Sequence, residues 1–135
     1  MLLLDASVWV ASASPRDQYH SESASLVRRH RSAIGALDLT LFEVANALGA
    51  KRRQPRGAER LASLVVRCCG RDRLVRVDPN LVGAAVDVAV EHGLSAYDAA
   101  YVAVARRNGW QLVSTDVRDL VSKGLAVTPD AALYP

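Results

Sequence analysis

Apolar and polar positions follow two rhythms along the chain. Leu2 to Asp5 is a short apolar run stopped by an acid, which reads as a buried strand, and Ser7 to Ala13 follows as a helix with Ser7 as its cap. A polar helix is expected from Asp17 to about His30, and the run SAIGAL at 32–37 reads as a second strand. Asp38 or Thr40 opens the next helix, with Leu41, Val44, Ala45 and Leu48 on one stripe. Pro55 and Gly57 punctuate the chain before a helix from Ala58 to Cys69 that Gly70 ends. The run RLVRVD at 73–78 alternates as a strand does, Pro79 and Asn80 turn the chain, and Leu81 to Glu91 forms an alanine- and valine-rich helix closed by Gly93. Ser95 caps a helix that Asn108 and Gly109 terminate. Beyond it, WQLVST at 110–115 is a strand, Asp116 to Val121 a short helix, and Leu125 to Val127 a last strand ahead of Pro129.

Strands alternating with helices at this spacing predict an α/β fold, a three-layer sandwich around a central, mostly parallel sheet with right-handed crossovers. A chain of 135 residues, half of them hydrophobic, builds one core, so a single domain over residues 1–135 is expected. In open parallel sheets, ligands bind beyond the carboxyl ends of the strands, where strand order reverses. Asp5 ends the first strand and Asp116 lies just past the strand of 110–115; if those strands are neighbours, two carboxylates meet at one mouth.

Composition narrows the function classes. Met1 to Leu4 lacks the basic flank and length of a secretory signal, and no run is apolar for long enough to cross a bilayer, so a cytoplasmic protein without membrane contact is expected. Cys68 and Cys69, the only cysteines, are adjacent, which suits neither a stapled secreted fold nor a zinc site. The net charge of +3 points only mildly toward a polyanionic partner. Its distribution says more: positive residues gather at 28–31, 51–56, 67–76 and Arg106–Arg107, although each run alone reads equally as a solvated helix end.

The acids carry the candidate chemistry, and each has two readings. Asp98 lies three residues after Ser95 and Glu43 three after Thr40, so both fit capping boxes as well as a functional site. Asp116 stands in a first helical turn, and Asp5 can satisfy backbone donors after its strand. Helix-start duties do not explain why acids recur at the edge where this architecture places its site. If the four converge, carboxylates about 5 Å apart repel by roughly 3 kcal/mol per pair at an effective dielectric near 20. They then hold protons or a cation, and an all-oxygen cluster suits magnesium, or manganese, better than zinc. His20, His30 and His92 lie away from the acid motifs and read as surface or helix-end residues.

Four strings, LLLDASVWVA at the amino terminus, FEVANAL at 42–48, LSAYDAAYVAVA at 94–105 and LVSTDVRDL at 112–120, occur in the order and spacing of a known family. Over nearly its whole length the chain resembles a PIN-domain nuclease, most of all the VapC-type toxins of bacterial toxin–antitoxin pairs. By match to those motifs, the resemblance implies that Asp5, Glu43, Asp98 and Asp116 are the acidic catalytic and metal-binding positions. Ser7 and Ser114 match hydroxyl positions that orient the carboxylates, Ser114 standing where threonine is common in the family. Asp119 matches a further acid of some members. The implied activity is a Mg2+- or Mn2+-dependent endoribonuclease, a hydrolase of phosphodiester bonds in structured RNA. The implied partners are an RNA substrate, a cognate antitoxin and a second copy in a homodimer. Apolar positions at Leu41 to Leu48 and Leu61 to Val66 serve either such contacts or ordinary core packing.

Three rivals share parts of this pattern. A catalytically silent PIN-like module that binds RNA or a partner would keep the shape and lose acids, whereas all four acids are present. A phosphoacceptor receiver domain needs a lysine after a late strand, and neither Lys51 nor Lys123 follows one. A non-nucleolytic metal-dependent phosphatase could use the same acids.

Overall fold

The computed structural model describes residues 1–134. Strands β1 (Leu2–Leu4), β2 (Ile34–Leu37), β3 (Leu74–Val75) and β4 (Gln111–Val113) form one parallel sheet in the order β3-β2-β1-β4. Leu2, Leu3 and Leu4 pair with Gln111, Leu112 and Val113, so the carboxyl ends of β1 and β4 finish side by side. The chain leaves β1 toward β2 on one flank and returns on the other as β4. The strand order therefore reverses between β1 and β4, which meets the condition set by the sequence for two carboxylates to share one mouth.

Among the described residues seven α-helices flank the sheet: α1 (Ala6–Ser12), α2 (His20–Arg29), α3 (Leu39–Val44), α4 (Pro55–Arg73), α5 (Pro79–His92), α6 (Ala96–Asn108) and α7 (Pro129–Leu133). Alternating side chains of the strands feed two cores. Leu4, Ile34 and Val113 pack with Val8, Trp9, Leu26, Leu61 and Val65 on one face. Leu3, Leu37 and Leu112 pack with Leu81, Val88, Tyr101 and Val104 on the other. The three-layer sandwich is thus the observed architecture.

Several boundaries depart from the sequence reading, each for a local reason. The cap of α1 is Asp5 rather than Ser7, because the Asp5 carboxylate accepts the Val8 N–H at 3.2 Å. The polar helix starts at His20 instead of Asp17, whose carboxylate closes a turn by accepting the Tyr19 N–H at 2.9 Å. β3 is only two residues long, since Asp38 accepts the Val77 N–H at 3.2 Å and draws the chain out of the ladder. Pro79 and Asn80 begin α5 rather than a turn, with Asp78 accepting the Leu81 N–H at 2.7 Å. Past Val44 the helix continues as wider π-type turns over Ala45–Lys51, and Val117–Val121 is coiled in the same way. Helical turns resume past Gly70, which sits at φ +60°, and continue to Arg73. The expected last strand contributes a single bridge, Val113 to Val127.

The sheet tolerates no side chain at Gly35. A Cβ there would stand 2.6 Å from Trp110 Cζ3 and 3.0 Å from the Arg73 carbonyl oxygen. Gly35→Ala is therefore expected to destabilise the fold by about 1–3 kcal/mol, read as a lower urea midpoint. No helix among the described residues is long and apolar enough to cross a membrane.

Candidate active site

Asp5 occupies the point of strand reversal. It follows β1, donates its backbone N–H to the Val113 carbonyl at 3.2 Å, and is almost wholly buried. Its two carboxylate oxygens accept hydrogen bonds from different elements, Oδ1 from the Ser7 hydroxyl on α1 and Oδ2 from the Ser114 hydroxyl just past β4. The same hydroxyls reach further: Ser7 Oγ accepts the Thr115 N–H and Ser114 Oγ the Asp116 N–H, both at 3.0 Å. Ser7, Ser114 and Asp5 thus knit the carboxyl ends of β1 and β4 together. Burial raises the Asp5 carboxyl above the ordinary carboxylate range, against the opposing pull of the Ser114 and Ser7 hydrogen bonds.

Glu43, on α3, faces the same edge. The capping-box reading fails here, because Thr40 makes no cap and its buried hydroxyl instead meets the Tyr101 hydroxyl of α6 at 2.8 Å. Tyr101 in turn donates to Glu43 Oε2 at 2.5 Å, so the order of donation runs from Thr40 through Tyr101 to the carboxylate. The Glu43 carboxyl is raised, first by burial and then by the charges of Asp5 and Asp98, which places all three acids in one electrostatic field. Burial, and then Glu43, pushes the Tyr101 hydroxyl well above its usual range, so it remains a donor. Sequence reasoning missed Thr40 and Tyr101. The signal was present: Tyr101 lies one turn after Asp98, on the same helix face. Tyr101→Phe removes the central hydroxyl of a buried chain, and a stability loss of about 1–3 kcal/mol is expected by urea denaturation.

Asp98 and Asp116 complete the edge in a more open setting. Asp98 does serve its helix start, with its N–H bonded to Ser95 Oγ at 3.1 Å and Ser95 Oγ donating to Asp98 Oδ2 at 2.8 Å. Asp116 caps the Val117–Val121 turns by accepting the Asp119 N–H at 2.9 Å. The Asp119 side chain is paired with Arg118 at 2.8 Å, and that pairing lowers its carboxyl.

The four acids share an edge without forming a closed cage. Among the described residues no three or more His, Cys, Asp or Glu side chains are gathered into one ligand group. Each carboxylate is instead hydrogen-bonded, Asp5 to Ser7 and Ser114, Glu43 to Tyr101, Asp98 to Ser95 and Asp116 to the Asp119 N–H. The donor set still fits a hard divalent cation, being all oxygen with hydroxyl supports. The softer groups are elsewhere. His20 Nδ1 pairs with the Ala11 carbonyl at 3.0 Å, and His92 lies against Glu91 and Arg106. Both cysteines are buried in the core, with the Cys69 thiol pushed up to about 12, chiefly by burial.

The basic runs divide by role. Arg73 is structural, donating to the carbonyls of Ile34, Arg31 and Cys68 at 3.1, 3.2 and 2.7 Å. Arg106 pairs with Glu91 at 3.3 Å. Of the apolar stripes, Leu48, Leu61 and Val65 are core, while Phe42 is 80% exposed beside Glu43 and Val66 is 44% exposed.

The chain has relatives among known proteins. The family model for the PIN domain matches residues 2–122. An exonuclease named VapC9 from Pyrobaculum aerophilum is 36% identical over 121 residues, covering 90% of this chain and 84% of that protein. A ribonuclease named VapC3 from the same organism is 33% identical over 132 residues, covering 95% and 98%. The crystal structure of Mycobacterium tuberculosis VapC20, described as a sarcin–ricin loop cleaving toxin, superposes with a TM-score of 0.77 at 24% identity, covering 92% of this chain and 95% of that one.

Proposed function

The chain belongs to the PIN domain family, and on that premise we propose that it is a VapC-type toxin, a metal-dependent endoribonuclease acting on structured RNA. The observation that carries this reading is the position of Asp5, buried at the strand reversal, held by Ser7 and Ser114, and sharing its field with Glu43 and Asp98. Asp5, Asp98 and Asp116 would hold the ion, magnesium or manganese, and Glu43 would bind it or position the attacking water. The bound cation supplies Lewis-acid polarisation of the phosphodiester and a more acidic water.

The protein's own residues do the rest. Ser7 and Ser114 fix the orientation of the Asp5 carboxylate, and neither hydroxyl needs to act as a nucleophile. Tyr101, steadied by Thr40, holds the Glu43 carboxylate toward the edge. Asp119, committed to Arg118, supports Asp116 through its backbone N–H alone.

The rival is a catalytically silent PIN-like module that binds RNA without cutting it. Incubating the protein with total cellular RNA, with and without magnesium, and mapping new 5′ ends separates the two. New ends inside structured RNAs, dependent on magnesium, are expected. Progressive shortening from RNA termini would instead make the activity exonucleolytic, and intact RNA would favour the silent module. The exposed Phe42 and Val66 offer a contact for a cognate antitoxin close to Glu43. The row Val82, Val86 and Val90 on α5 is the corresponding choice for a homodimer contact.

A further inference from the structure

We propose that the groove between the end of α1 and the segment Arg52–Gln54 is a subsite for backbone phosphates of the RNA, remote from the four acids; this rests on the ribonuclease reading above. The groove encloses about 430 Å³ and is lined by Ser14, Arg16, Arg52 and Gln54 together with Ala13 and Pro15. Ser14 is nearly buried, and its hydroxyl donates to the Val10 carbonyl at 2.7 Å while accepting from Arg52 Nη1 at 2.7 Å. One guanidinium edge is thereby fixed by a hydroxyl that is itself anchored on α1. Arg53, at φ 53°, takes the left-handed conformation that non-glycine residues disfavour, and Arg52 and Gln54 on either side of it both line the groove.

Charge points to the occupant. The ion pairs among the described residues join Glu91 to His92 and Arg106, and Asp119 to Arg118, so neither Arg16 nor Arg52 is neutralised. Asp17, the nearest acid in sequence, is turned to the Tyr19 N–H. A planar guanidinium with open donors matches a phosphate, and a groove without aromatic side chains contacts a backbone and reads no base. The positive surface continues, since an adjoining groove shares Ala13 and carries Arg60 and Arg67 of α4. Such a row fits a chain of phosphates better than one small anion. Asp5 starts α1 and Ser14 lies just past its end, nine residues on, which at about 1.5 Å per residue is roughly 13 Å. The groove would therefore grip the strand a few nucleotides from the bond being cut.

The test is a salt titration of binding. A fluorescein-labelled 20-nucleotide single-stranded RNA of mixed sequence is titrated in EDTA against the wild-type protein, Arg16→Gln, and Arg16→Gln/Arg52→Gln. Each lost arginine is expected to lower the slope of log Kd against log salt by about 0.7, with the double variant binding about tenfold more weakly. The single variant leaves the Ser14 hydrogen bond untouched, so it remains informative if the double variant folds poorly. Unchanged affinity and slope in a folded Arg16→Gln, beside a wild type that cleaves RNA, overturns the subsite and spares the ribonuclease reading. A wild type that neither binds nor cleaves RNA overturns both. Loss of polyglutamate binding with RNA binding intact would assign the groove to an acidic protein segment, and also overturns the proposal.

Discussion

Asp5→Asn is expected to abolish magnesium-dependent RNA cleavage and, in EDTA, to melt at a higher temperature than the wild type. The loss should be roughly a thousandfold or more, the scale on which removing one electrostatic stabiliser of a transition state is felt. The gain in melting temperature follows from burial. Burial raises the Asp5 carboxyl above its reference value of 3.8, so between 3.8 and the raised value the folded state binds more protons than the unfolded state. Stability therefore falls as pH rises through that window, and above it the Asp5 charge is a standing cost. Asparagine keeps the shape and can still pair with Ser7 and Ser114, but it carries no charge. Cleavage at the wild-type rate, or a lower melting temperature in EDTA, would contradict a strained carboxylate retained for catalysis.

Asp98→Asn separates the two duties of an acid that serves its helix start. As a member of the site, it should lose activity by about a hundredfold or more. As a capping residue at the positive end of α6, it should cost only about 0.3–1 kcal/mol, because asparagine preserves the contact with Ser95 and gives up the charge–dipole attraction. The two variants should therefore move stability in opposite directions while both remove activity. A stability loss in Asp98→Asn with activity intact would assign the residue to capping alone. RNA cleavage and thermal melts on the same preparations supply both readings.

The architecture was legible because it rests on periodicity and punctuation. Leu2 to Leu4 and the run to Leu37 are apolar throughout because both faces of a parallel sheet are covered, and Gly93 and Gly109 close helices in the left-handed conformation that glycine permits. What the sequence left hidden is set by side chains reaching across the chain. Asp5 rather than Ser7 caps α1 because its carboxylate reaches the Val8 N–H, and Val77 leaves β3 because Asp38, 39 positions away, takes its N–H. In the site, the acids and the hydroxyls of Ser7 and Ser114 could be nominated by spacing and resemblance, but not Tyr101, which meets Glu43 across 58 residues. Charge runs were the least informative: the cluster at 67–76 contains Arg73, which serves three carbonyls, while Arg16, outside every run, lines the open groove.

The most direct measurement is anomalous diffraction at the manganese edge from crystals soaked in Mn2+. A peak among the carboxylates of Asp5, Glu43, Asp98 and Asp116, absent in Asp5→Asn crystals, is the predicted result. Manganese bound elsewhere, or an edge that stays empty at saturating Mn2+ with the four side chains still tied to Ser95, Tyr101, Ser114 and the Asp119 N–H, would contradict a shared metal site.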